Sequence, residues 1–340
     1  MENNISRMLV ETVVKRTLRD VRECPERSIR NLVDMALQFS GGRFQQDFFT
    51  TAQTMLQNEN SSYYGLVRDT VTNVDAERLY TFGMNLGYNG CTIGAHRIRQ
   101  NEQTFGIKIP WTVILETESK SFENYQEKYH ALIQDGEKLG IYTWMIFSEA
   151  SPTAALSLAK VHEDSAFFLF CRPENLTSDF LDEVSALYNV MLVVCYDEAT
   201  ADICAALRYT GLPYSVWYPY GQNDAKAITS GDLFCSIQQF SPIFTALIPR
   251  PDCPETVQQL VYQTVRQMRS GQDYRTILWE LKQDNRLVDS IISDDTCSVC
   301  FDKTGTLWDW DHKIECHNLF QCGSVDIIRS FCPKKKGATI

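Results

Sequence analysis

At 340 residues, with 44% hydrophobic and 22% charged residues, the chain has the balance of a soluble globular protein and the length of one large domain or two ordinary ones. Forty-three acids against 32 bases give a formal charge of −11, which opposes approach to phosphate backbones and excludes general nucleic-acid binding from the expected functions. No stretch approaches the roughly 18 apolar residues of a membrane span, and Met1-Glu2-Asn3-Asn4 lacks the basic and apolar regions of a signal peptide. A cytoplasmic, reducing location without disulfides or membrane contact is therefore expected.

In chain order, the first 75 residues predict helices. Ile5 to Val21 carries a one-sided apolar pattern, Pro25 opens a second helix, Gly41-Gly42 breaks it, and Phe48 to Leu56 forms a third. Strands are then predicted at Leu79–Met84, Trp111–Leu115, Ile141–Phe147, Phe167–Cys171, Val190–Cys195, Tyr214–Tyr218 and Leu233–Gln239. Helices are predicted between them at Ser121–Leu139, from Pro152, at Ser178–Leu187 and at Ala199–Thr210, the last ended by Gly211. Strand–helix–strand alternation with short connections implies parallel pairing. Near-continuous apolar strands such as Met191-Leu192-Val193-Val194 imply a sheet covered on both faces. Two helices follow Pro254, and then a cysteine-rich tail with a hairpin near Gly305. The expected class is α/β, a partial (β/α) TIM-type barrel with a helical prefix and a cysteine-rich extension. Its expected divisions are 1–76, 77–250 and 251–340, with ligands at the C-terminal strand ends.

The strand-end loops carry a resemblance. Asn85-Leu86-Gly87-Tyr88-Asn89-Gly90-Cys91-Thr92, Leu139 to Pro152, Phe167 to Leu176 and the region of Cys297, Gly305 and Cys316 occur in the order of landmarks of the radical S-adenosylmethionine superfamily. The chain resembles that superfamily over roughly residues 77–332, and its tail is similar to a SPASM-type extension, which in relatives holds auxiliary iron–sulfur clusters. The resemblance implies a C-x3-C-x2-C segment after the first barrel strand, a G-G-E-P loop after the second that contacts the cofactor's methionine amine, and peptide substrates. In this chain the three cysteine positions fall at Gly90, Gly94 and Arg97, or, shifted by one, at Cys91, Ala95 and Ile98. Neither register supplies the three thiolates that a [4Fe–4S] cluster needs. Glu149-Ala150-Ser151 also replaces Gly-Gly-Glu before Pro152.

The resulting expectation is a catalytically degenerate relative, a pseudoenzyme that binds a peptide or protein partner as an accessory factor and does not bind S-adenosylmethionine. The alternative is an iron–sulfur or zinc enzyme acting on a peptide through a metal held by the C-terminal cysteines. Ligand-pocket candidates are Cys91, Glu149, Ser151, Arg172 and Trp217. Five of the 12 cysteines crowd the tail. Cys297-x2-Cys300 has chelate spacing, and Cys316, Cys322 and Cys332 are further candidate ligands for zinc or a [4Fe–4S] cluster.

Overall fold

The structure, a computed structural model, describes residues 2–39, 43–148, 152–293, 297, 299–310, 312–323 and 326–327. The break expected at Gly41-Gly42 lies outside them. The chain opens with α1 (Glu2–Asp20), α2 (Pro25–Phe39), α3 (Arg43–Met55), α4 (Ser62–Asn73) and α5 (Ala76–Gly83). Side chains start the last two: Ser61 accepts from the Tyr63 amide, and Asp75 accepts from the amides of Glu77 and Arg78. Each satisfies donors that the first helical turn leaves unpaired. α5 passes without a break into an eleven-residue π-helix, Met84–Gly94, and then into α6 (Ala95–Phe105). Leu79–Met84, expected as the first barrel strand, is therefore helical: the Asp75 cap commits the segment to a helix before its apolar run begins.

The barrel strands are β1 (Thr112–Thr117), β2 (Thr143–Ser148), β3 (Ala166–Cys171), β4 (Val190–Cys195), β5 (Tyr214–Tyr220), β6 (Phe244–Pro249) and β7 (Ile277–Glu280). All seven pair parallel with their neighbours in chain order. The connecting helices are α7 (Ser119–Leu139), α8 (Thr153–Val161), α9 (Ser178–Val184), α10 (Thr200–Thr210), the short α11 (Ala225–Thr229) and α12 (Asp232–Ile237), and α13 (Glu255–Gly271). The strand order never reverses, which is the winding of a (β/α) barrel rather than of a doubly wound sheet. β1 and β7 do not pair with each other, so the barrel is partial. Leu233–Gln239, expected as a strand, is α12 and a 3-10 turn: Leu233, Phe234 and Ile237 are buried at helical spacing.

α14 (Leu281–Ser293) leaves β7 and ends beneath β1. There Asp289 accepts from the Trp111 amide at 3.0 Å, and Lys108 Nζ donates to the Ser293 carbonyl at 2.8 Å. β8 (Val299–Phe301) pairs parallel with the outer edge of β1, and β9 (Thr306–Trp308) and β10 (Lys313–Asn318) add antiparallel to it. The expected hairpin is present, with Gly305 at φ +78 in its turn. Among the described residues no helix is long and apolar enough to cross a membrane.

Register divides the sheet into two faces. Trp144 of β2 lies against Gly136 of α7, where an added Cβ would come within 2.8 Å of its ring, so Trp144 and Ile146 face the helix layer. Thr143, Met145 and Phe147 then face the concave interior. Pairing carries the same parity to Glu116, Phe168, Phe170, Cys195, Trp217 and Trp279.

The π-helix closes the N-terminal end of this interior. Asn85 Nδ2 donates to the carbonyls of Glu163 (2.6 Å) and Ser165 (3.1 Å), and Asn89 Nδ2 donates to that of Asp164 (2.8 Å), all in the segment entering β3. Phe82, one turn earlier, meets Phe168 edge to face at 5.2 Å. Gly94 packs against the Gly140 carbonyl just before β2; a Cβ there would collide with that oxygen and stand 2.7 Å from the Asn89 carbonyl. Gly94→Ala is expected to lose about 1–3 kcal/mol of stability in urea unfolding, whereas Gly87→Ala, with nothing within 4 Å of its added Cβ, stays near wild type.

Candidate functional site

The candidates named from the sequence separate to opposite ends of the barrel. Cys91 sits in the π-helix at the N-terminal ends of the strands. It is half-buried, and desolvation pushes its thiol up to about 12, which disfavours the reactive thiolate. The expectation that its segment follows the first barrel strand is corrected. The segment precedes β1 and covers the floor, because the polar caps and glycine contacts above fix it there. Arg172 and Trp217 lie at the other end, the mouth. Glu149 and Ser151 lie outside the described residues.

At the mouth three rings meet on the concave face. Phe147 and Phe170 stack with centroids 4.1 Å apart, and Trp217 stands edge-on to both, at 6.1 and 6.4 Å. The Trp217 indole N–H donates to the Cys171 carbonyl at 3.2 Å, which fixes the ring's orientation. Phe147 and Trp217 are half-buried and Phe170 is fully covered. Cys195, the register partner of Trp217, is buried beside them. Its thiol rises to about 11, chiefly by burial; Arg172 opposes the rise, and Asp197 and Glu174 add to it. Glu116, exposed at the end of β1, belongs to the same face, and its charge reaches the Cys300 thiol on β8. Sequence reading found Arg172 and Trp217 but missed Phe147, Phe170 and Cys195, although the alternation within β2, β3 and β4 assigns them all to one side.

A cavity of about 750 Å³ lies on the outer face between α5, α8 and α9, lined by Thr81, Lys160, Glu183 and Tyr188 among others. The mouth has the more directed chemistry of the two, because it gathers inward-facing aromatic rings and charges at the strand ends where barrel ligands bind.

Of the tail candidates, the structure describes the side chains of Cys297, Cys300 and Cys322. Cys297 is buried, Cys300 and Cys322 are half-buried, and burial raises the Cys300 thiol strongly. The Cys316 side chain and Cys332 lie outside the described residues. Among the described residues no group of three or more His, Cys, Asp or Glu side chains is placed to hold a metal ion.

A perturbed carboxylate that sequence reading missed lies behind the mouth. Glu280, fully buried at the end of β7, accepts from Tyr220 Oη at 2.9 Å and from the Gln283 amide at 2.7 Å. Asp284 accepts from the Glu280 amide at 2.8 Å and forms a two-pronged pair with Arg269 at 2.8 Å. Desolvation raises Glu280 to about 7 against the pull of its two donors. Its bonds cap the first turn of α14, which makes it a structural group.

No family model matches the sequence, and no curated protein matches it significantly. Among solved structures the chain is similar to crystal structures of Streptococcus suis SuiB. The form bound to S-adenosylmethionine is 8% identical, with a TM-score of 0.47, over 69% of this chain and 67% of that chain. The form bound to precursor peptide SuiA is 8% identical, with a TM-score of 0.49, over 70% and 69%. A further SuiB structure is 6% identical, with a TM-score of 0.47, over 93% and 81%. These are overlaps of backbone course, and the site is read from this chain's own residues.

In native protein at pH 8, iodoacetamide is expected to label the exposed Cys24 and Cys235 and to spare Cys91 until denaturant is added, as read by peptide mass mapping. Glu280 is raised from 4.5 to about 7, so the folded state holds its proton longer than the unfolded chain does. Stability from this group is full below 4.5 and falls as pH rises through 7, by up to about 3 kcal/mol. Glu280→Gln should flatten the fall in stability between pH 5 and 8, measured by urea midpoints.

Proposed function

We propose that this chain is a barrel of the radical S-adenosylmethionine type that has lost its cluster and works as a peptide- or protein-binding accessory factor. The observation that carries the reading is the scatter of its described thiols. Three converging thiolates would be needed to hold a [4Fe–4S] cluster in the mouth. The segment leaving β1 passes through Glu118 directly into α7 without a cysteine. Cys91 is at the opposite end of the barrel. Cys195 and Cys300 face inward from β4 and β8, four strand spacings apart, roughly 19 Å along the sheet. Among the described residues no set of thiols fits that cluster, and no step of chemistry through it follows.

What the mouth offers instead is recognition. Half-buried aromatic rings held in fixed orientation present apolar area at low entropic cost, which suits a side chain of a peptide laid across an open concave face. The division at 1–76, 77–250 and 251–340 belongs to the same proposal, with the last segment contributing β7 as well as the hairpin.

The test is anaerobic reconstitution with iron and sulfide, followed by absorption spectroscopy and calorimetric titration with S-adenosylmethionine. No binding of S-adenosylmethionine is expected. A cluster whose absorption survives Cys297→Ser with Cys300→Ser, joined to measurable binding of S-adenosylmethionine, overturns the reading in favour of an active enzyme.

A further inference from the structure

We infer that the mouth selects a cationic segment, a peptide presenting a Lys or Arg side chain to Trp217. The inference rests on the binding reading above and specifies its partner. Two observations meet at one place. The first is the ring group of Phe147, Phe170 and Trp217, whose faces carry the negative side of an aromatic quadrupole. The second is the charge around it. Glu174 follows β3, and Asp197 and Glu198 follow β4; all three are exposed. The Cys195 thiol, on the concave face beside Trp217, feels the charges of both Glu174 and Asp197, which places them at this mouth.

Arg172, also exposed, is the cation among these neighbours, and it leaves the β3–β4 side of the rim net negative. Glu116 adds a carboxylate from β1, with Lys120 and Lys303 exposed on that flank. The negative lobe therefore sits over β3 and β4, where Trp217 is pinned. By contrast, Asp224 on the β5–β6 side is already committed to Arg250 at 2.6 Å. A formal charge of −11 extends the same preference to long range, speeding encounter with a basic partner and slowing it with an acidic one.

An anionic or purely apolar segment fits this surface less well. The first meets the rim acids. The second fills the ring group but leaves the charges of Glu174 and Asp197 to be desolvated without a counter-charge. A cation satisfies both, with its ammonium or guanidinium near the indole and its charge beside the carboxylates.

The probe is a short synthetic peptide of repeated Lys-Ser-Gly, compared by calorimetry with the same peptide carrying Glu or Leu in place of Lys. The Lys peptide is expected to bind, more weakly as salt rises, and the Glu peptide not to bind. Trp217→Ala is expected to weaken the Lys peptide about tenfold. The exposed triple variant Glu174→Gln, Asp197→Asn, Glu198→Gln should do the same, which separates recognition from any folding defect of the Trp217 variant. Glu77→Gln with Glu163→Gln and Asp164→Asn, acids of α5 and the floor end, should leave binding unchanged. Equal weakening by both triple variants, or none by Trp217→Ala, overturns the inference. If the Leu peptide binds in a Trp217-dependent manner and as tightly as the Lys peptide, cation selection fails while peptide binding stands. If no peptide binds, the binding reading fails with it.

Discussion

A sheet wound in one direction and left open has a concave face that must be shut at one end before it can present anything at the other. Here the shutting is done by the backbone-to-backbone approach of Gly94 and Gly140, supported by the two asparagine amides that reach the segment entering β3. Only residues without side chains allow the π-helix to sit this close to β2. Once it does, Phe82 can reach Phe168 and the floor is apolar and sealed.

The same contact settles what the glycine-rich segment is for. Its wording resembles a cluster-binding loop, and a cluster-binding loop would have to lie at the other end of the strands. Gly90 and Gly94 are not failed ligand positions left in an active site. They are close-packing positions, with Thr143 and Gly140 as their respective neighbours. The absence of side chains at Gly94 and Gly140 is what lets this segment close the floor.

Much of the fold was legible in the sequence, and the exceptions have local causes. β2 to β5 announced themselves by apolar runs, with Gly140 and Pro213 also marking the starts of β2 and β5. Leu79–Met84 misled because Leu79, Tyr80, Phe82 and Met84 pass for a strand, while the stronger signal, Asp75 placed to cap a helix, stands outside the run. β6 escaped notice between Pro242 and Pro249, and β7 is four residues that pass straight into α14. Of the site, Trp217 and Arg172 could be reached from strand ends alone. Phe147, Phe170 and Cys195 needed the register, since facing inward is a property of pairing and not of residue type. Glu280 needed tertiary structure entirely: its raised protonation comes from burial, against the pull of a donor, Tyr220, sixty positions earlier in the chain.

The late arrival of β8 has a consequence for the nascent chain. Val113 of β1 is matched with Val299, whereas every other parallel ladder joins strands that are consecutive in the chain. During synthesis β2 to β7 can dock in turn as they emerge, but one border of β1, the apolar Val113-Ile114-Leu115, waits until Val299 has been made. At the roughly 5–20 residues per second of translation, that border stays uncovered for roughly 10 to 40 seconds. Such an edge invites pairing with other chains, so a growing polypeptide of this design is most in need of a chaperone at its first strand, long after that strand has left the ribosome.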